Sequence, residues 1–445
     1  MNRTYIADLK DHIGSEVSIS GWVSVRRDQG KMVFMDMRDM SGTVQCVVLP
    51  NHTEALEAVK EVRTEWVLEL TGVVNKRPEK NVKADVLNGD IELEITALTV
   101  LSKAQELPFA LDAEVNLDTY FDYLPLTLRT QRARDIFTMQ ASIVEAYRAS
   151  LRGQKFTEFQ APALVAGDAE GGGAAFKVDY FYDKTAYLAT SPQLYKEILV
   201  GVFERAFTIA KIFRAEKSAT TRHLSELTQM DFEMGFIKNH LDVMAVLEQV
   251  IRDVVKTVSE KHADIFERFK ISAPLMPEKF PIFTLREAQE IVSKETGVDS
   301  TNELDMEPEH ERIICEYAQK NLGSDFVFIT HYPTKKRAFY TYADPANPEF
   351  SLSFDLLFRG LEINSGSQRI HDYDMMVEKM KSRGVNPDNF SFYLQAFKYG
   401  LPPHGGCSTG LERLTARMLE LGNVKEASVF PRDLHRIDNR LSDSE

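Results

Sequence analysis

Between residues 16 and 48, apolar and polar side chains alternate with a period of two, the pattern of strands that bury one face. In EVSISGWVSV, Val17, Ile19, Val23 and Val25 fall on one face. In KMVFMDMRD, Val33, Met35 and Met37 share one face and Phe34, Asp36 and Arg38 the other. TVQCVV turns Val44, Cys46 and Val48 inward and Gln45 outward. A short helix is expected over residues 52–62, then the strands WVLELTGVV and DIELEITALTV. From residue 131 the period lengthens: QRARDIFTMQASIVEAYRASLRG places Ile136, Ile143, Val144, Tyr147 and Leu151 on one helical stripe. RAFTIAKIF and LTQMDFEMGFI then alternate as two strands of a hairpin. Met230, Phe232, Met234 and Phe236 form its apolar back, and Gln229, Asp231 and Glu233 its polar front.

Five strands with a helix between the third and fourth match an OB-type barrel. Its outward residues suit single-stranded nucleic acid, since an exposed ring such as Phe34 can stack on a base while an amide such as Gln45 reads a base edge. Arg26 and Arg27 are expected in the loop joining the first two strands, and Lys76, Arg77, Lys80 and Lys83 in the loop joining the last two. The proline-bearing stretch around 102–126 lacks periodicity and reads as a hinge. The organisation expected is α+β: an N-terminal barrel over 1–105, a hinge over 106–130 and a second domain over 131–445.

Composition narrows the class. The chain has 445 residues, 43% hydrophobic and 27% charged, which fits globular domains with sizeable cores. No run approaches the roughly 18 apolar residues of a membrane span, and the N-terminus lacks the apolar core of a signal peptide. Cys46, Cys315 and Cys407 are widely spaced, with no metal-binding pattern. A cytoplasmic protein with free thiols is expected. The net charge of −14 argues for solubility and leaves local cationic patches free to bind anions.

The second domain carries the chemistry. Arg214, Glu216, Arg222, His223 and Asp231 gather around the hairpin loop in FRAEKSATTRHLSELTQMDFE, which suggests a binding floor. In SPQLYKE, Gln193 and Lys196 lie on one helix face, a pair that is more often surface than site. GDAEGGGAAF supplies a glycine run with one acid, Glu170. SFDLLFRGLEINSGSQRI presents Glu362, Ser365 and Arg369. In GLPPHGGCSTGLER a glycine-rich turn, a helix start and Arg413 together suit a phosphate.

These stretches resemble the motifs of class II aminoacyl-tRNA synthetases. FRAEKSATTRH…MDFE is similar to motif 2, GLER to motif 3, and the long helix with FQAPALV to motif 1. The barrel in front resembles that of the aspartate, asparagine and lysine subgroup. SPQLYKE and RGLEINSGSQR resemble the aspartyl enzymes, and the short interval between motifs 2 and 3 resembles their archaeal and eukaryotic form.

The resemblance implies an antiparallel sheet flanked by helices and a homodimer built through motif 1, Pro162 included. It implies activation of L-aspartate with ATP and Mg²⁺, then transfer to tRNA-Asp, with tRNA-Asn left open. By matching position, Arg214 would hold the α-phosphate, Arg413 the γ-phosphate and Glu216 the adenine amino group. Arg222 and His223 would close over the phosphates. Leu227 stands where many relatives stack an aromatic ring on adenine. Glu362 and Ser365 would bind Mg²⁺. Lys196 and Arg369 would hold the substrate's side-chain carboxylate, and Glu170, Gln193 and Asp231 its ammonium group. In the barrel, Arg26, Phe34, Gln45 and Glu92 match anticodon-reading positions. Two other readings stay open: an asparaginyl enzyme, and an adenylate-forming paralogue that charges no tRNA. Lys196 speaks against the first, because a carboxamide would turn an N–H₂ donor toward it. Phe34 and Gln45 speak against the second.

Overall fold

The computed structural model describes residues 2–84, 86–167, 175–217 and 220–441. The chain divides into two compact units, Met1–Ala113 and Glu114–Glu445.

In the first unit, β1 (Glu16–Asp28), β2 (Val33–Arg38), β3 (Thr43–Val48), β4 (Val67–Lys76) and β5 (Ile91–Ser102) close into a barrel of order β1-β2-β3-β5-β4. A helix, Thr53–Val59, lies between β3 and β4. The alternation seen in the sequence fills the interior with Val17, Ile19, Met35, Met37, Cys46 and Val48. Val25 is an exception. The β1–β2 register shifts between Val23 and Val25, from Val23↔Met37 to Val25↔Asp36. The extra residue of this bulge inverts the alternation beyond it, and Val25 is 41% exposed. Arg26 and Arg27 belong to β1 itself, not to a loop. Arg77, expected among solvated loop cations, is buried and donates through Nη1 to the Gly89 carbonyl.

The second unit begins with two short helices, Leu117–Asp122 and Leu124–Thr127, inside the stretch expected as a hinge. The long helix Gln131–Gly153 follows, capped by Thr130 Oγ1, which accepts from the Ala133 amide. Its buried stripe of Ile136, Met139, Ile143, Tyr147 and Leu151 packs with the helix His240–Lys261. The main sheet is built from β6 (Thr157–Glu158), β10 (Arg205–Phe213), β11 (Glu226–Gly235), β12 (Ile282–Thr284), β13 (Phe326–Thr330), β14 (Ser353–Phe358), β15 (Leu361–Gln368) and β16 (His404–Gly410). Their order is β12-β13-β14-β15-β16-β11-β10-β6, antiparallel except for β6 beside β10 and β12 beside β13. A small second sheet joins β7 (Leu164–Val165), β8 (Lys177–Tyr180) and β9 (Lys184–Leu188).

β10 and β11 form the expected hairpin, with Met230, Phe232 and Met234 in the core. Phe236 departs from that row: it lies beyond the end of β11 at φ +57° and is 71% exposed. The glycine-rich segment before Arg413 is a strand, not a turn. Its glycines serve close packing. A Cβ on Gly406 would stand 2.1 Å from the Phe232 carbonyl oxygen and 2.2 Å from Glu233 Oε2. Among the described residues, no helix is long and apolar enough to cross a membrane.

Candidate active site

Alternation along β11 sends Met230 and Phe232 into the core and leaves Asp231 and Glu233 on the other face, where the helix Gln193–Phe203 also packs. Lys196 projects from that helix and is fully buried. Its Nζ donates to Asp231 Oδ2 at 2.9 Å and to the Cys407 carbonyl at 3.2 Å, and lies 3.3 Å from Glu233 Oε2. Arg369 follows β15 and donates from Nε to Glu233 Oε1 at 2.9 Å. Its Nη1 donates to Ser367 Oγ at 2.6 Å, and its Nη2 to the Gly406 carbonyl at 2.9 Å and to Gln193 Oε1 at 3.4 Å. The pair Gln193/Lys196, which sequence alone assigns more readily to a surface, thus sits in a buried network of two cations and two carboxylates.

Burial disfavours charge on Lys196, but Asp231 and Glu233 outweigh it and hold the ammonium above the ordinary lysine range. Burial likewise pushes Glu233 up, and Arg369 and Lys196 together bring it below the ordinary range. Lys196 and Glu233 therefore both remain charged near neutrality.

Above this floor lies a cleft of about 170 Å³, whose lining includes Arg214, Glu216, Arg222, His223, Leu227, Glu362, Ser365, Ser408 and Arg413. Ser408 connects the two, since it lines the cleft and donates from Oγ to Asp231 Oδ1 at 2.7 Å. Arg413, in the first turn of the helix Leu411–Met418, donates to the Glu362 carbonyl at 3.0 Å and lies 3.6 Å from that carboxylate. Arg214 is 3.9 Å from Glu216, both well exposed to solvent. Arg222 is more constrained, held by Glu311 at 2.9 Å and by the Gly360 carbonyl at 3.2 Å. Desolvation lowers His223, and Arg413, Arg214 and Arg222 press it further down against the pull of Glu216. A neutral imidazole is the result. Glu170 lies outside the described residues.

Several participants escape a sequence reading. Asp355 on β14 is paired with Ser365 on β15 by the sheet register, and its Oδ1 is buried with no hydrogen-bond partner among the described residues. Desolvation and then Asp355 raise the Glu362 carboxyl. Arg337 donates to Asp355 at 2.7 Å and to Ser365 at 3.1 Å. Only strand register could have joined these residues. Glu233 was visible as a front-face acid, but its partners lie 37 residues upstream and 136 downstream in sequence, so nothing local marked its role.

In the barrel, Gln45 Nε2 donates to Glu92 Oε2 at 3.1 Å. Arg27 grips Asp36 through both terminal nitrogens and reaches Gln45 Oε1 at 3.5 Å. Arg27 is also the register partner of Phe34. Arg26 is opposite the inward Met35 and donates to the Val59 carbonyl. The β1 bulge therefore makes Arg27, not Arg26, the register partner of Phe34 and the neighbour of Gln45.

Comparison with known proteins agrees with this architecture. Residues 116–434 match the tRNA synthetases class II (D, K and N), and residues 17–101 match the OB-fold nucleic acid binding domain. The chain is 42% identical to an aspartate–tRNA(Asp/Asn) ligase of Thermus thermophilus, over 98% of this chain and 99% of that protein. It is 36% identical to an aspartate–tRNA(Asp) ligase of Thermoplasma acidophilum, over 98% of this chain and all of the other. The asparaginyl-tRNA synthetase of Pyrococcus horikoshii, solved with asparaginyl-adenylate, superposes with a TM-score of 0.91 at 30% identity, covering 98% of this chain and 99% of that one. With motifs, sheet, barrel and relatives in agreement over nearly its full length, the chain belongs to the class II tRNA synthetases of the D, K and N group.

Proposed function

We propose that this protein is an aspartate–tRNA ligase, which activates L-aspartate with ATP and passes the aspartyl group to the 3′ end of tRNA. The observation that carries this reading is the buried Lys196–Arg369 pair, with Lys196 linked to the cleft through Asp231 and Ser408. A substrate carboxylate wants fixed cations, and a pocket built for them would leave a carboxamide with a misplaced donor. Asp231 supplies a carboxylate for the substrate ammonium, with Gln193 offering its amide oxygen.

The reaction needs no protein nucleophile. The α-carboxylate of aspartate attacks the α-phosphate of ATP, and pyrophosphate leaves. The enzyme's task is to bring two anions into line and cancel their repulsion. Arg214 holds the α-phosphate side and Arg413 the γ-phosphate side, with Glu216 toward the adenine. Leu227 offers adenine an aliphatic surface. His223, kept neutral, can donate a hydrogen bond to a phosphate without adding charge, and Arg222 closes the rim.

Mg²⁺ fits the donor set. Asp355 Oδ1 is a buried acceptor with no hydrogen-bond partner among the described residues, Glu362 is raised by burial and then by Asp355, and Ser365 adds a hydroxyl. Among the described residues, no cluster of three His, Cys, Asp or Glu side chains could hold a metal unaided. This suits an ion held by one or two carboxylates together with substrate phosphates. When bound, Mg²⁺ would neutralise charge on the phosphates of the leaving group.

The barrel face of Phe34, Gln45, Glu92 and Arg27 reads the anticodon in this scheme. The protein works as a homodimer through the segment around Pro162, where Pro162 and Leu164 are exposed in the single chain. Its three free cysteines are all buried, in keeping with a cytoplasmic location.

ATP–pyrophosphate exchange tests the first half-reaction. Exchange that requires aspartate and ignores asparagine is the expected result, and the reverse preference would make the protein an asparaginyl enzyme. Charging of purified tRNA-Asp and tRNA-Asn in separate reactions decides between one and two tRNA substrates. Absence of charging with intact exchange would leave an adenylate-forming paralogue.

A further inference from the structure

Beneath the amino-acid floor lies a second buried polar layer to which the reaction scheme gives no role. Glu197, one position after Lys196, is completely buried. Its Oε1 accepts from Gln193 Nε2 at 2.6 Å. Its Oε2 accepts from the Tyr393 hydroxyl at 2.7 Å and faces His404 Nε2 at 3.1 Å. His404 is itself fixed, with Nδ1 at 2.9 Å from the Pro402 carbonyl. That carbonyl can only accept, so Nδ1 is the donor there, and a proton between Nε2 and Glu197 completes the pair.

From this geometry we infer that Glu197 is a positioning residue for aspartate recognition, which locks the Gln193 side-chain amide with its oxygen toward Arg369. The inference rests on the proposed aspartate pocket. An amide can present either its oxygen or its N–H₂, and the two have nearly the same shape. Tyr393 and His404 both engage Oε2, so Oε1 carries no hydrogen and can only accept, and Glu197 admits only the Gln193 nitrogen. The Gln193 oxygen is then turned to Arg369 Nη2, 3.4 Å away. Flipped, Gln193 would place two N–H donors against a guanidinium and against any ammonium group bound nearby. It would also set its oxygen against a buried carboxylate. Both contacts are repulsive, and burial magnifies them. Tyr393 and His404 keep Glu197 from rotating away, so the relay runs from helix Ser391–Lys398 and β16 through Glu197 and Gln193 to Arg369.

The test uses the full-length enzyme in aspartate-dependent pyrophosphate exchange. Glu197→Leu removes the acceptor and frees Gln193 to flip. The KM for aspartate should rise about tenfold, the scale of one misplaced buried hydrogen bond. The KM for ATP, and kcat at saturating aspartate, should stay within about threefold. Glu197→Gln keeps an acceptor oxygen for Gln193 and should recover most of the aspartate affinity. A Glu197→Leu enzyme with unchanged aspartate KM overturns the inference, whatever its Tm, because a purely structural role lowers stability without separating the two substrates. Should Glu197→Leu fail to fold, a polarity exchange decides. Gln193→Glu alone sets two carboxylates against each other, and adding Glu197→Gln restores a donor–acceptor pair. Recovery of aspartate KM in the double variant supports the relay, and no recovery refutes it. A wild-type enzyme without aspartate-dependent exchange would instead refute the reading of the pocket itself.

Discussion

Lys196→Met separates the structural and recognition roles of the buried cation. Methionine nearly preserves the volume of the side chain, so no large cavity opens, and the change is chiefly one of charge. Lys196 makes contacts at 2.9 Å to Asp231, 3.2 Å to the Cys407 carbonyl and 3.3 Å to Glu233, all out of contact with solvent. Removing one partner of a buried ion pair costs about 3–5 kcal/mol. Glu233 retains Arg369 at 2.9 Å and Asp231 retains the Ser408 hydroxyl, which places the loss near the low end, about 3 kcal/mol. A substrate carboxylate would in addition lose one charge-assisted hydrogen bond, worth about 1.5–3 kcal/mol, a ten- to hundredfold rise in the KM for aspartate. The KM for ATP should hold, because Lys196 does not line the cleft proposed for the nucleotide. Discrimination against asparagine should narrow, since a carboxamide gains little from the cation. Urea unfolding measures the first effect, and exchange kinetics well below the unfolding transition measure the others. A destabilised enzyme with unaltered aspartate KM would show that Lys196 serves only the internal ion pairs.

Four further outcomes test other parts of the structure. Phe34→Ala should weaken tRNA charging severalfold while leaving pyrophosphate exchange intact, and a parallel loss in both assays would contradict an anticodon role. Glu362→Gln should raise the Mg²⁺ concentration needed for half-maximal exchange about tenfold at saturating ATP, as expected for removal of a charged oxygen ligand; an unchanged Mg²⁺ requirement would place the ion elsewhere. Gly406→Ala should cost both stability and aspartate affinity, because the added methyl overlaps the Phe232 carbonyl and displaces the Glu233 carboxylate; near-normal aspartate KM would rule out a tight packing role. Burial pushes the Glu311 carboxyl up to about 7, against the pull of Arg222. Folding therefore favours its protonated form, and the cost of ionising it is absent below about pH 4.5, grows toward pH 7 and persists above, reaching about 3 kcal/mol. The stability of Glu311→Gln relative to the parent should accordingly be more favourable at pH 8 than at pH 5, and a difference independent of pH would show that Glu311 ionises freely in the fold.

The charged residues that line the cleft could be grouped from the sequence because they cluster locally. Arg214, Glu216, Arg222 and His223 fall within ten positions, and Arg413 opens a helix whose spacing is plain. Barrel and hairpin were legible because a period of two fixes which face is apolar. The same rule failed at Val25 and Phe236. A bulge shifts the alternation at the first, and the strand ends before the second. Neither event has a signal in hydrophobic patterning.

By itself, then, the sequence determined the two-part architecture, the strand faces and the charged hairpin, because each depends on near neighbours along the chain. Tertiary structure decided which charges meet. Sheet order sets β16 between β11 and β15, and that arrangement brings Lys196, Asp231, Glu233 and Arg369 into one network. Register decided that Asp355 faces Ser365, and a bulge decided that Arg27 rather than Arg26 joins Phe34. The physical reason is range: alternation is set by the backbone of a single strand, while pairing between strands is set by packing over the whole sheet, where one residue of slip reverses every side chain.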